Sequence, residues 1–215
     1  KTGQKSVIAH GVKKLNNINR YLSQNGTEIK CSISSGSFPS LRDGELLEEY
    51  IHIKQDLIGY TYMNHIMELV RSTISDDLNH EKMYVFLQKL FRMMNNGYDP
   101  EILTFIFELK LMFFLGTGLH LQACSVCAKT EHLCFHISSG GLICKDHLEA
   151  FELVYDETVY REIQTLYYID IEEDAFPIID SNTRVIIRHI IDLLFSEFIG
   201  FSTKSREILK QIKKY

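Results

Sequence analysis

Cys124-Ser-Val-Cys127 and, sixteen residues further on, Cys144-Lys-Asp-His147 are the part of this chain that says most about its fold. Each pair leaves two residues between its ligands, which lets both side chains reach one ion, and the longer spacer suffices for a small hairpin that brings the pairs together. Three thiolates and one imidazole would fill a tetrahedron and leave no position for water. Cys124, Cys127, Cys144 and His147 are therefore expected to hold a structural Zn2+ rather than a catalytic one. Working outward, Ser138-Ser139-Gly140 marks the turn between strands expected around 132–137 and 141–144.

Upstream of the metal segment the pattern is helical. Asp99-Pro100 supplies a cap and a first-turn proline for a helix running to Leu115. That helix is apolar nearly all round and is expected to form the buried centre of a bundle. Before it, helical spacing runs from about Glu49 to Ser75, and a second helix, capped by Asp76 or Asn79, runs to Asn95 and stops at Asn96-Gly97. Downstream, helices are expected over 156–168, 182–200 and 203–214. The first 45 residues read as β-structure. Lys5–His10 is a short β-prone run, Thr27–Ile33 alternates like a half-buried strand, and Phe38–Leu41 is another short candidate.

With 215 residues and 45% hydrophobic content, the chain can build a real core. The run Ile102–Leu115 carries Glu108 and Lys110 and is too short and charged to span a bilayer. Four of five cysteines fall between positions 124 and 144, which suits a reducing compartment, and a cytoplasmic protein is expected. The net charge is −5, but it is uneven: residues 1–30 hold six Lys or Arg against Glu28 alone, and residues 204–214 hold five against Glu207. Basic ends on an acidic body are either solvated tails or a phosphate footprint.

Several other groupings carry less. His132, Cys134 and His136 alternate along the hairpin strand and suit a strand face better than a ligand set. Cys31 reads as a small core residue. His65 and Glu68 share a helical face without a partner pair, as in a surface or half-buried contact. Asp170-Ile-Glu172-Glu173-Asp174 reads as a solvated loop. His147-Leu-Glu149 resembles half of a zinc-deaminase signature, but it follows the Cys-x-x-Cys pair, and Ala123 stands where proline belongs. No phosphate loop, His-Glu-x-x-His or Gly-x-Ser-x-Gly is present, so the chain reads as a binding protein and not an enzyme.

The run Phe107-Glu-Leu-Lys-Leu-Met-Phe-Phe-Leu-Gly116, the Cys124/Cys127 pair and Ser139-Gly-Gly-Leu-Ile-Cys144 together resemble the centre of the RecO recombination-mediator proteins. Gly3-Gln-Lys-Ser-Val-Ile-Ala-His-Gly-Val-Lys-Lys14 and Thr203-Lys-Ser-Arg206 resemble that family's basic loop and the start of its C-terminal helix. The second ligand pair departs from the pattern: it is Cys-x-x-His where many members have Cys-x-x-Cys. The resemblance implies an α+β architecture. An N-terminal OB-fold β-barrel over 1–46, expected to be truncated at its start, is followed over 47–215 by a mainly α-helical domain carrying the zinc hairpin at 121–148.

It also implies DNA repair and homologous recombination. Such a protein binds single- and double-stranded DNA and anneals strands coated with single-strand-binding protein, whose acidic C-terminal tail it touches. It assists RecA loading together with RecR, in a bacterial cytoplasm and near the nucleoid. In that reading Lys5, Lys13, Lys14 and Arg20, with Lys204, Arg206 and Lys210, are the phosphate contacts, and Tyr21 is the nearest stacking aromatic. Lys110 and Arg92 could frame the tail's groove. The competing expectation is a zinc-stabilised protein–protein adaptor without DNA binding.

Overall fold

The computed structural model describes residues 4–73, 80–149, 153–200 and 203–212. Its contacts divide the chain into two compact units, Lys1–Pro100 with Ser205–Tyr215, and Glu101–Lys204. This cut follows packing rather than fold type, so it addresses a different question from the expected division at residue 46.

The first unit opens with a coil segment. Gly11 turns at φ 76°, and a single helical turn, α1 (Asn19–Leu22), follows. β1 (Glu28–Ile33) and β2 (Leu41–Glu48) then pair antiparallel, with Cys31 opposite Gly44. β2 runs well past the short strand expected at 38–41. Lys5–His10 does not join as a ladder: Ile8 makes one parallel bridge to Ser40, donating to Pro39 O at 2.8 Å and accepting from Leu41 N at 2.9 Å. Among the described residues this is a two-stranded sheet and not a closed barrel. The strand expected to be half-buried keeps Cys31 and Ile33 exposed, and Leu46 and Leu47 are exposed too. Cys31 is therefore a surface thiol rather than a core residue.

The helical stretch from 51 onward breaks once. Asp56 is extended (φ −100°, ψ 118°), and its carboxylate accepts from Gly59 N at 2.7 Å, capping a new start. The result is α2 (Ile51–Gln55) and α3 (Leu57–Thr73) instead of one helix. α4 (His80–Asn95) ends where Gly97 adopts φ 90°. The expected cap at Asp76 or Asn79 lies outside the described residues.

The second unit is built on α5 (Pro100–Phe114), buried from Glu101 through Leu109 and again at Leu111 and Met112. Its two acids are accommodated by arginines. Arg188 forks onto the fully buried Glu108 and stacks 4.7 Å over Phe105, and Arg184 lies 3.6 Å from Glu101. β3 (Leu133–His136) and β4 (Gly141–Cys144) form the expected hairpin, with Leu133 opposite Cys144. β5 (Val154–Tyr155) adds a third strand against β3, which no periodicity announced. α6 (Glu157–Tyr168) and α7 (Ser181–Leu194) carry Asp156 and Asp180 as side-chain caps. α7 then widens into a π turn, Phe195–Ile199, that ends at Gly200 with φ 77°.

α8 (Lys204–Ile212) returns to the first unit. Glu68 of α3 accepts from Ser205 N at 3.0 Å and from its hydroxyl at 2.6 Å, while His65 Nδ1 lies 3.0 Å from the same hydroxyl. His65 is fully buried, where a surface or half-buried contact was expected, because it and Glu68 meet a helix start 140 residues away from His65 in sequence. No helix among the described residues is long and apolar enough to cross a membrane.

Candidate metal centre and nucleic-acid surface

The backbone around the first ligand pair is pinned before any side chain matters. Cys124 N donates to Lys129 O at 2.8 Å, Ala128 N to Cys124 O at 2.9 Å, and Ser125 N to Leu142 O at 2.8 Å. Ala128 takes φ 61° to close that turn. Cys144 is the last residue of β4, and the 3-10 turn Lys145–His147 swings the imidazole back toward it. The ligand atoms of Cys124, Cys127, Cys144 and His147 lie within 4.8 Å of one another. Sγ of Cys127 and Cys144 are 3.7 Å apart, and His147 Nδ1 is 3.2 Å from Cys144 Sγ and 3.8 Å from Cys124 Sγ.

Metal–sulfur bonds of about 2.3 Å and metal–nitrogen bonds of about 2.0 Å at tetrahedral angles require ligand–ligand edges of roughly 3.5–3.8 Å. Three separations of 3.2–3.8 Å are close to those edges, the whole set within 4.8 Å is compact enough to surround one ion, and all its cysteines are free thiols. These four residues could hold a metal ion, and a soft three-sulfur set suits zinc. Burial opposes ionisation of Cys124, yet the backbone N–H groups of Cys127, Cys144 and Val126 outweigh it and bring the thiol down to about 6, which favours the ligating thiolate. Lys129 and Asp146, 2.5 Å apart and both exposed, bridge the two ligand loops.

The remaining candidates in the loop lie outside that cluster. Cys134 Sγ lies 3.5 Å from Ile143 O, His136 Nδ1 lies 2.7 Å from Ser139 Oγ, and His132 sits just before β3 with φ 52°. Only the four predicted ligands cluster among the described residues.

The basic candidates divide. Lys5, Lys13, Lys14 and Arg20 are all exposed on the segment that precedes β1. Lys14 N closes a turn onto Gly11 O at 2.9 Å, and the Asn19 side chain donates to His10 O at 2.9 Å, so this loop has a defined shape. Leu15, Ile18 and Tyr21 are exposed along it. Lys204 and Lys210 are also exposed, with Lys210 3.7 Å from Glu207. Arg206 is only 4% exposed and offers no face to a phosphate backbone. Lys110, one of two cations that could have framed a peptide groove, donates to Tyr167 O at 2.9 Å.

A polar hub escaped the sequence reading. Glu28, the lone acid of the basic N-terminal stretch, accepts from Tyr84 at 2.6 Å, Gln88 at 2.6 Å and Tyr50 at 3.0 Å. Tyr50 reaches it from a left-handed conformation (φ 50°), with its ring edge-on to Phe91 at 5.8 Å. Partial burial raises the Glu28 carboxyl, but the hydrogen bonds from Tyr84, Tyr50 and Gln88, with Arg92 nearby, hold it below its ordinary value of 4.5. Tyr84 is correspondingly pushed up to about 12, first by that hydrogen bond and then by burial.

A carboxylate depressed in the folded state contributes stability that is present above its ordinary value and is lost as pH falls through the folded one. Glu28→Gln is expected to cost on the order of 1 kcal/mol near neutral pH, allowing for solvent screening. The difference from wild type should shrink in urea unfolding at acid pH, and an equal difference at both pH values would break this account.

The family model described as "Recombination protein O C terminal" matches residues 54–207. The chain belongs to the RecO family. It is 27% identical over 217 residues to the DNA repair protein RecO of Bacillus cytotoxicus, covering 99% of this chain and 88% of that one. It is 26% identical, with the same coverage, to the proteins of that name from Bacillus cereus strain AH187 and Bacillus anthracis strain CDC 684. The Cys124, Cys127, Cys144 and His147 cluster of this RecO-family protein falls inside the matched region. Its basic N-terminal segment lies before it, within the stretch shared with the Bacillus proteins.

Proposed function

We propose that this RecO-family DNA repair protein is a recombination mediator. It binds single- and double-stranded DNA, anneals strands coated with single-strand-binding protein, and assists RecA loading together with RecR, by binding rather than turnover. The observation that carries the reading is the exposed run Lys5, Lys13, Lys14 and Arg20 on a turn-fixed segment with Tyr21 exposed beside it. Cations would track the backbone, an aromatic would stack a base, and neutralised phosphates would no longer repel a complementary strand. Lys204 and Lys210 add cations, whereas Arg206 is buried.

In this reading residues 1–46 act as part of an OB-type nucleic-acid module, to which β1, β2 and the Ile8 bridge contribute. The metal is zinc, and its role is to staple the hairpin. A pocket of about 340 Å³ in the first unit, lined by Met67, Val70, Met83 and Leu87 with Arg71 and His80 at hand, suits the acidic, apolar tail of single-strand-binding protein better than Lys110 does. The cell's cytoplasm, near the nucleoid, is where these partners meet.

The test is annealing of complementary oligonucleotides coated with single-strand-binding protein, with and without RecR. Acceleration that fades with salt is expected. Lys13→Ala with Lys14→Ala should lower the slope of log affinity against log salt by about 1.4, at about 0.7 per phosphate contact on single strands. An unchanged slope removes these lysines from the interface. No acceleration, with tail binding retained, would favour the adaptor.

A further inference from the structure

We propose that the three-cysteine, one-histidine cluster is also a peroxide-sensitive thiol–disulfide switch, with Cys127 as the sulfur attacked and Cys144 as the sulfur that resolves it. The inference rests on the zinc reading above and goes beyond it.

The cluster is lopsided. Cys124 and Cys144 are buried, whereas Cys127 and His147 face solvent. An oxidant arriving from solution therefore meets one sulfur before the others. Cys144 Sγ lies 3.7 Å from that sulfur. Cys144 is fixed in the ladder opposite Leu133, and the exposed turn that carries Cys127 is closed by Ala128 N donating to Cys124 O at 2.9 Å. Closing the gap falls on the two side chains and leaves β3 and β4 paired.

The chemistry balances with hydrogen peroxide as oxidant. A metal-held cysteine is a thiolate, which is the nucleophilic form. Cys127 Sγ attacks one peroxide oxygen, the O–O bond breaks, and hydroxide leaves to be protonated to water, giving a sulfenic acid. Cys144 Sγ attacks that sulfur, the S–O bond breaks, and a second hydroxide leaves as water. Two thiolates, one peroxide and two protons become one disulfide and two waters. Two of the four metal ligands are thereby lost, and Cys124 with His147 alone make a poor site.

The experiment uses the zinc-loaded full chain. Hydrogen peroxide is added, released zinc is read with a chromogenic chelator, and the disulfide is located by mass spectrometry of unreduced peptides. One zinc released per Cys127–Cys144 bridge is expected, with recovery after a thiol reductant and fresh zinc. Cys31→Ser removes the exposed thiol outside the cluster and should behave as wild type. Cys127→His keeps four ligands but removes the exposed sulfur, and should slow release by roughly ten-fold or more. If that variant binds no zinc, the wild-type disulfide map still decides. Zinc retained under peroxide, or released without this bridge, overturns the switch alone. Protein that never binds zinc overturns the metal reading itself.

Discussion

Cys144→Ser is expected to abolish stoichiometric zinc binding and to lower the melting temperature by roughly 6–12 °C, at about 2–4 °C per kcal/mol for a chain of this length. The reasoning starts from the position. Cys144 is 2% exposed at the end of β4, with its sulfur in reach of both Cys127 and His147. Serine offers a hard hydroxyl in place of a soft thiolate, and the other three ligands cannot close a tetrahedron. Structural zinc contributes about 10–16 kcal/mol in isolated small modules. Here the hairpin has its own packing, since Phe135, Leu142 and Ile143 are buried, so only part of that is lost, about 3 kcal/mol. Thermal unfolding with and without excess chelator checks it. The chelator should lower the wild-type midpoint to near that of the variant and leave the variant unmoved. A wild-type midpoint indifferent to the chelator would show that the four residues carry no stabilising metal.

Gly141→Ala is expected to cost about 3–5 kcal/mol without touching a ligand. A Cβ at Gly141 would collide with the carbonyl oxygen of His120 and lie 2.8 Å from both its carbonyl carbon and its Cβ. The obstacle is backbone, and it is tied down: His120 N donates to Gly140 O at 3.0 Å, and Leu142 N donates to His120 O at 2.8 Å. Making room breaks one or both bonds next to the buried hairpin core, which adds to the ordinary cost of overpacking. Gly97→Ala is the comparison. That glycine has φ 90° but nothing within 4 Å, so only local strain of about 1–2 kcal/mol is expected. Chemical denaturation of both variants settles the ranking. Equal losses would mean that the close approach at 141 relaxes at little cost, since the backbone there is one that alanine adopts freely.

The same glycine shows where reading the chain runs out. Ser139-Gly-Gly-Leu-Ile-Cys144 is recognisable as a motif, and its turn is readable, but the reason for the second glycine is a carbonyl twenty-one residues earlier in the chain. β5 went unseen because two residues, Val154 and Tyr155, carry no period; only β3 makes them a strand. The break at Asp56 was hidden inside an unbroken apolar stripe, where a side-chain cap overrode the helical pattern.

Spacing along the chain was sufficient to name the four residues that cluster and to place most helices. Two ligands three apart, a proline after an aspartate, and apolar residues every third or fourth position are local constraints, enforced by the backbone whatever lies beyond it. Fates set by partners distant in sequence were a different matter. Glu28 reads as an incidental acid among lysines until Tyr50, Tyr84 and Gln88 converge on it. Arg206 reads as one more exposed cation of a basic tail, and folding buries it. Cys31 alternates like a core residue and ends on the surface, because a strand's period names two faces and leaves open whether either is covered. Burial and charge pairing depend on which elements meet, and that choice belongs to the packed chain rather than to any window of its residues.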